Sequence, residues 1–409
     1  MASVGTFTYK GRDTEGKVVK GRIDAMTEGA VANRLRTMGI SPLSIQEAAG
    51  GTGLQKEINL GAFKPKVGLK DLAVMSRQMA TMITSGLSLL RTLTILTDQT
   101  ENKELKRILT SITREVESGA SLSDATARHA TVFPPIMISL IRAGETGGFL
   151  DEALLSVAKN FESEVKLRGT IKSAMTYPVI VFIMAIVAVI AMLLFIVPIF
   201  EKMFASFGGQ LPLPTMILVW LSSIMWWLVP LLAVAGIIFA VWWQKNKNTE
   251  RVRKFVDPWK LRIPVFGQLF RKIAIARFAR NFSSMMAAGV PILQVLNIVG
   301  DTSGNWVMEN ALRKVAESVR QGNTVAGPLS EEKVFPSMVT QMISVGEDAG
   351  ALEQMLAKIA DFYDEEVQSA TEQLTAMIEP LMIAFLGLVV GGMIVALYLP
   401  IFNIFTLIK

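Results

Sequence analysis

The chain alternates between two hydrophobic regimes. Residues 173–200, 203–244 and 380–408 contain no Asp, Glu, Lys, Arg or His. Each stretch exceeds the roughly 20 apolar residues that carry a helix across a bilayer core. Three membrane spans are therefore predicted, at 176–199, 215–243 and 380–402. Pro230 falls inside the second span and is expected to kink it. Elsewhere the apolar positions have helical spacing. Leu72, Met75, Met79, Met82 and Ile83 stripe a helix that stops at Gly86, and Leu89, Leu90, Leu93 and Leu96 mark a short helix. Leu105, Ile108, Leu109, Ile112 and Val116 stripe a longer one ending at Gly119. Pro134-Pro135 opens another that closes near Gly144, and Leu150 to Thr176 reads as one long helix heading for the membrane, with Pro178 at the entry.

This pattern is written twice. Arg77, Gly86, Leu90, Leu93, Ile95, Asn102, Leu109, Val116 and Gly119 recur as Arg280, Gly289, Leu293, Leu296, Ile298, Asn305, Leu312, Val319 and Gly322. After a one-residue deletion, Phe133-Pro134, Gly144-Glu145, Gly148, Leu150 and Pro178 recur as Phe335-Pro336, Gly346-Glu347, Gly350, Leu352 and Pro380. A tandem repeat fixes architecture before any motif is read. The predicted fold class is a mainly α integral membrane protein: two cytoplasmic helical bundles in tandem, three transmembrane helices and a small N-terminal α+β module. The bundles fall at 69–175 and 244–379, and the second includes a basic juxtamembrane segment.

Charge sets the orientation. Eleven Lys and Arg residues between positions 244 and 280 face only Glu250 and Asp257, whereas the 200–214 loop offers Glu201 and Lys202 and the 403–409 tail only Lys409. Basic loops stay cytoplasmic, so both bundles are expected inside and the loop and tail outside. Two parallel copies also require one return helix, which gives three spans. The net charge of +6 is thus a topological signal and calls for no nucleic acid. Trp242-Trp243 reads as an interfacial anchor. No apolar run near Met1 suggests a signal peptide, so the first span is expected to target the chain.

Residues 1–47 read as a separate module. Phe7 to Lys10 and Lys17 to Ile23 form a hairpin about a glycine-rich turn, Ala30 to Met38 a helix ended by Gly39, and Pro42 to Ile45 a third strand. Residues 48–68 read as a linker. Candidate chemistry is sparse. There is no cysteine, which excludes disulfides and cysteine-based metal or redox chemistry. The single histidine, His129, has no counterpart in the second copy. Gly144-Glu145-Thr146-Gly147-Gly148 lacks the Lys-Ser/Thr of a P-loop and follows a helix, so it is not read as a nucleotide site. No catalytic residue, cofactor or metal is assigned. The singled-out residues are the repeat-motif positions Gly86, Gly119, Gly144, Glu145, Gly148, Asp151, Pro178, Gly289, Gly322, Gly346, Glu347, Gly350 and Pro380, the glycines being read as helix caps. Charge-free spans offer no ion relay and no evident polar glue, which leaves small-residue packing, with Gly387 and Gly391 forming a G-x-x-x-G pair.

The Phe-x-Tyr opening, Arg77-Gln78-Met79-Ala80-Thr81-Met82-Ile83, Gly144 to Asp151, Tyr177-Pro178 and Phe207 to Thr215 together resemble the type II secretion F / type IV pilus PilC family along essentially the whole chain. The second copy departs from the pattern, with Glu379 for Tyr177 and Ala349 for Gly147. The resemblance implies a non-enzymatic platform in the bacterial inner membrane. Its implied partners are a hexameric cytoplasmic assembly or retraction ATPase, pilins or pseudopilins, other inner-membrane alignment proteins, and further copies of itself as a dimer or higher oligomer. Some relatives carry a metal ion near an interface of the first bundle; Glu145 and Asp151 are the acids of the motif here. The loop from Phe207 to Thr215 favours the pilus branch, with a type II secretion or competence pseudopilus platform as the alternative and a small transporter behind both. The cysteine-free chain makes topology testable: single thiols replacing Ser206 and Ser330 are expected to react with an impermeant reagent from opposite sides of the membrane, and same-side labelling would refute the three-span reading.

Overall fold

The computed structural model describes residues 5–12, 18–25, 27–47, 66–206 and 211–407. Several sequence expectations lie outside those residues: the hairpin turn at 13–17, the linker at 48–65, the loop at 207–210 and the chain end at 408–409. Two compact units separate, residues 1–64 and 65–409.

The first unit is a three-stranded antiparallel sheet in the order β2-β1-β3, from β1 (Gly5–Arg12), β2 (Val18–Ala25) and β3 (Ser41–Glu47), with α1 (Glu28–Thr37) between the last two strands. Thr27 caps α1 by accepting from the Ala30 amide. Val31 and Leu35 bury the inner face of α1 against Phe7.

In the second unit the first bundle comprises α2 (Leu69–Thr84), α3 (Leu89–Gln99), α4 (Lys103–Glu117), α5 (Leu122–Ala127), α6 (Pro135–Gly147) and the start of α7 (Leu150–Ala191). A wide π turn at Met192–Ile196 joins α7 to α8 (Val197–Ser206). The second span is α9 (Leu213–Asn246), an unbroken helix through Pro230, and α10 (Glu250–Arg262) follows at once. The second bundle repeats the order with α11 (Phe266–Ala287), α12 (Ile292–Thr302), α13 (Trp306–Arg320), α14 (Ala326–Glu331), α15 (Ser337–Asp348) and α16 (Leu352–Leu407).

Equivalent residues have equivalent tasks in the two bundles. Asn102 caps α4 by accepting from the amides of Glu104 and Leu105, and Asn305 caps α13 through Val307 and Met308. Phe133 and Phe335 are buried in the core, and Pro134 and Pro336 sit at the N-caps of α6 and α15. Phe335 meets Phe278 edge-on at 5.0 Å, a geometry that aromatic pairs favour. The two cores are continuous with each other.

Pro178 and Pro380 do not end helices at the membrane. Both lie inside continuous helices, because a helix tolerates one lost amide when other interactions hold it. At 1.5 Å per residue, the 42 residues of α7 and the 56 of α16 extend about 63 and 84 Å. Below the bundles, Leu167, Leu269, Ile273, Val367 and Leu374 lock α7, α11 and α16 together. Within the membrane, Leu193, Val197, Met393 and Leu397 pack the first and third spans, with Leu218, Leu221 and Met225 of the second against them.

The spans also hold polar contacts that the apolar pattern concealed. Pro400 has no N–H, so the carbonyl of Ala396 lacks its usual partner one turn on; the Thr215 hydroxyl donates to it. Pro198, the equivalent residue in the first copy, leaves the same defect. There the wide turn lets the Val197 amide bond Met192. The Leu193 carbonyl, thereby displaced, would next look to residue 198, which is the proline. Ser222 donates to Leu193 instead, at 2.6 Å. The return helix thus supplies one hydroxyl to each copy's proline defect. Replacing Thr215 by Val, which keeps the shape and removes the donor, is expected to cost about 0.6–1.7 kcal/mol, read as a lowered unfolding midpoint in a denaturing detergent titration; an unchanged midpoint would refute the role.

Candidate functional site: the repeated glycine motif and the seam between bundles

The motif begins with an electrostatic problem common to both copies. Helices α5 and α14 are short, and their first amides have no partner inside the helix. In the first copy Glu145 of α6 supplies it: one carboxylate oxygen accepts from Leu122 and the other, at 3.0 Å, from Ser123. In the second, Glu347 of α15 accepts from Val325 at 2.7 Å and Ala326 at 3.1 Å. A carboxylate at a helix N-terminus is favoured both by the hydrogen bonds and by the helix dipole. Glu145 is therefore engaged structurally, each of its carboxylate oxygens accepting one helix amide. Asp151 is exposed in the first turn of α7.

The glycines divide into two kinds. Gly86, Gly119, Gly148, Gly289, Gly322 and Gly350 have φ between +63° and +96° and end their helices, a conformation that L side chains resist. Gly144 and Gly346 sit inside α6 and α15 rather than ending them, and each is in close contact with the following helix. A Cβ on Gly144 would stand 2.5 Å from the Ala153 Cβ, and one on Gly346 would stand 3.0 Å from the Leu352 Cα. The departure at Ala349 also has a structural reason. Gly147 has no room for a Cβ because the Phe149 ring would lie 2.0 Å from it. Its counterpart Ala349 is followed at the matching position by Ala351, which has no ring.

One repeated interaction escaped the sequence pattern. Arg77 of α2 grips Glu162 of α7 through two hydrogen bonds, and Arg280 of α11 grips Asp364 of α16 in the same place. The arginines recur visibly, but their partners are Glu in one copy and Asp in the other, outside any matched motif. The hydrogen bonds from Arg77 hold the Glu162 carboxyl below its ordinary range, and those to Glu162 raise the guanidinium above its own. A depressed carboxylate stabilises the fold above its unfolded pKa, and that contribution is lost as pH falls through the folded value. With the side chains 38% and 43% exposed, solvent screening keeps it below about 1 kcal/mol.

The seam between bundles is not duplicated. Asn160 of α7 donates to Asn281 of α11 at 2.8 Å, both side chains buried, and Asn281 donates in turn to Thr302. Beside them Glu164 accepts from Arg277 at 2.6 and 2.9 Å and from Arg168 at 2.7 Å. By repeat position, Gln78 and Phe362 stand where Asn281 and Asn160 would recur, so the bundles meet through one seam and not its mirror. A cleft of about 380 Å³ opens where Arg142 and Phe149 of the first bundle face Val290 and Gln294 of the second. Gly387 and Gly391 meet no other helix of the chain among the described residues: nothing lies within 4 Å of a Cβ placed on either.

A helical bundle built twice on membrane-crossing rods, with the repeated motif glutamate of each copy bound to helix amides, defines a membrane scaffold. The chain belongs to the type II secretion system protein F family: the family's main domain matches residues 75–198 and again 278–400, and its N-terminal domain matches residues 1–46. It is 42% identical to a type IV pilus assembly protein PilC of Myxococcus xanthus over 97% of this chain and 94% of that one. It is equally 42% identical to a PilC of Thermus thermophilus, over 97% and 98%. A type II secretion system protein F of Xanthomonas campestris is more distant, at 30% identity over 97% and 98%.

The two glutamates set up a paired test. Glu145→Gln and Glu347→Gln each keep an acceptor but remove the charge, and each is expected to lower stability by about 0.5–2 kcal/mol. Because the two caps lie in different bundles and share no partner, the double variant is expected to lose the sum. Denaturation midpoints that do not move in either single variant would refute the capping role.

Proposed function

We propose that this chain is the inner-membrane platform of a type IV pilus assembly machine, coupling a cytoplasmic ATPase to the extraction and polymerisation of pilins. The observation that carries the reading is mechanical: each bundle continues into a membrane span as a single helix, α7 in one and α16 in the other. A displacement imposed on a bundle therefore reaches the hydrocarbon region without passing through a loop. The greater identity to pilus assembly proteins than to secretion F proteins supports the pilus branch.

In this reading the N-terminus and both bundles are cytoplasmic, as the basic cluster after α9 indicates, and the C-terminus is external. The bundle surfaces receive the ATPase, the spans contact pilins in the bilayer, and alignment proteins and further copies of the chain complete the assembly. The glycine-motif residues maintain the bundle shape on which ATPase contact depends. Gly387 and Gly391, open in the single chain, are available to another helix. No step in this role requires chemistry at the platform itself. Deleting the gene is expected to abolish surface fibres while pilin accumulates in the inner membrane. Continued piliation would refute the platform role, and loss of hydrolase export with intact pili would assign the chain to secretion instead.

A further inference from the structure

Helix α10 has no counterpart among the described residues of the first copy and presents an unusual outer face. Phe255 and Trp259 are 70% and 61% exposed, and their rings lie 6.3 Å apart. Arg251 and Arg262 are exposed beside them, whereas the Lys254 ammonium lies over the Trp306 ring of α13 at 5.6 Å. Spacing of four, four and three residues from 251 through 255 and 259 to 262 puts Arg251, Phe255, Trp259 and Arg262 on one helical stripe. The opposite face is neutralised internally. Asp257 is buried, takes Lys260 at 2.9 Å and caps α13 through the Trp306 amide at 2.9 Å, while Arg253 pairs with Glu309 at 2.8 Å. Among the described residues Arg251 and Arg262 form no ion pair. The outer stripe is thus aromatic and cationic together.

Its position decides what such a face meets. Helix α9 ends in the stacked cluster Phe239, Trp242 and Trp243, the aromatic composition of a membrane–water boundary. Only Lys247, Asn248 and Thr249 separate α9 from α10, and three residues reach at most about 11 Å. The turn is tighter still, because Lys247 donates to Trp243 at 2.8 Å and Thr249 to Asn246 at 2.9 Å. The start of α10 therefore lies within about one Debye length of the lipid headgroups.

We propose that α10 is an interfacial helix that seats on anionic phospholipid, with Phe255 and Trp259 entering the headgroup–acyl boundary and Arg251 and Arg262 engaging lipid phosphates. Aromatic residues and cations on one exposed face, joined directly to a span, are the composition that binds a negatively charged leaflet. Seating α10 fixes the base of the second bundle against the membrane, since Asp257 ties the same helix to α13.

The test uses the full chain in nanodiscs of phosphatidylcholine, alone or with phosphatidylglycerol. Spin labels are placed on Trp259→Cys and, as a control, on Lys106→Cys, an exposed position of α4. The label at 259 is expected to relax more with oxygen than with a water-soluble nickel chelate, and the control to show the reverse. Phosphatidylglycerol is expected to strengthen the contrast. Arg251→Gln and Arg262→Gln are each expected to weaken seating about fivefold. Equal water exposure at both positions in both lipid mixtures would overturn the proposal. So would shielding of position 259 that appears only when purified assembly ATPase is added, because the stripe would then belong to a protein partner.

Discussion

Hydrocarbon leaves no carbonyl free to find water, and the rest of this architecture is arranged around that constraint. An unbonded backbone group in the bilayer core costs several kcal/mol, yet each copy of the repeat carries a proline, Pro198 or Pro400, within its spanning helix. The orphaned acceptors are answered from a helix that belongs to neither copy, through Thr215 and Ser222. The second span is therefore more than the return stroke that a parallel duplication requires. It is the bonded partner of both outer spans, and it holds the two copies as one membrane unit without a single charge.

In the bundles the copies are held by a different logic. Inside each bundle the fixings are repeated: an Arg–carboxylate grip, an asparagine cap, a glutamate on a short helix, a glycine where α6 meets α7 and α15 meets α16. Between the bundles they are not. The buried Asn160–Asn281 pair and Glu164 between Arg277 and Arg168 occur once. A buried amide pair is costly to separate because each partner loses its hydrogen bond in a dry setting. The duplicated parts set the shape of each bundle, and the unduplicated seam fixes how the two bundles are joined.

Periodicity and charge made most of this fold legible. The spans, the duplication, the helix order and the caps at Gly86, Gly119 and Gly148 followed from spacing alone, because helical stripes and left-handed glycines leave local marks. What stayed hidden depends on atoms brought together from distant positions. Gly144 reads as a cap in sequence, but its need is steric and arises from Ala153 in the next helix. The Arg77 grip was half visible because its acid alternates between Glu and Asp. The hydroxyl donors of α9 were masked by the greasy run around them; the prolines of the flanking spans were the available signal, since a missing amide implies a donor elsewhere. Helix α10 was seen only as charge, because its partner face is organised by Asp257 contacting α13.

The wide turn at Met192–Ile196 has a geometric sequel. It consumes one residue more than an α-helical turn, and a single added residue rotates everything beyond it by about 100°. Helix α16 has no such turn. Buried Leu193 has as its repeat counterpart Val395, which is 61% exposed, and buried Leu397 answers to Phe195, which is 66% exposed. Equal in sequence register, the C-terminal ends of the two spans have parted in azimuth. A duplicated gene has thereby produced two rods that present different faces outward from the chain, and no exchange of one for the other would leave that apolar surface unchanged.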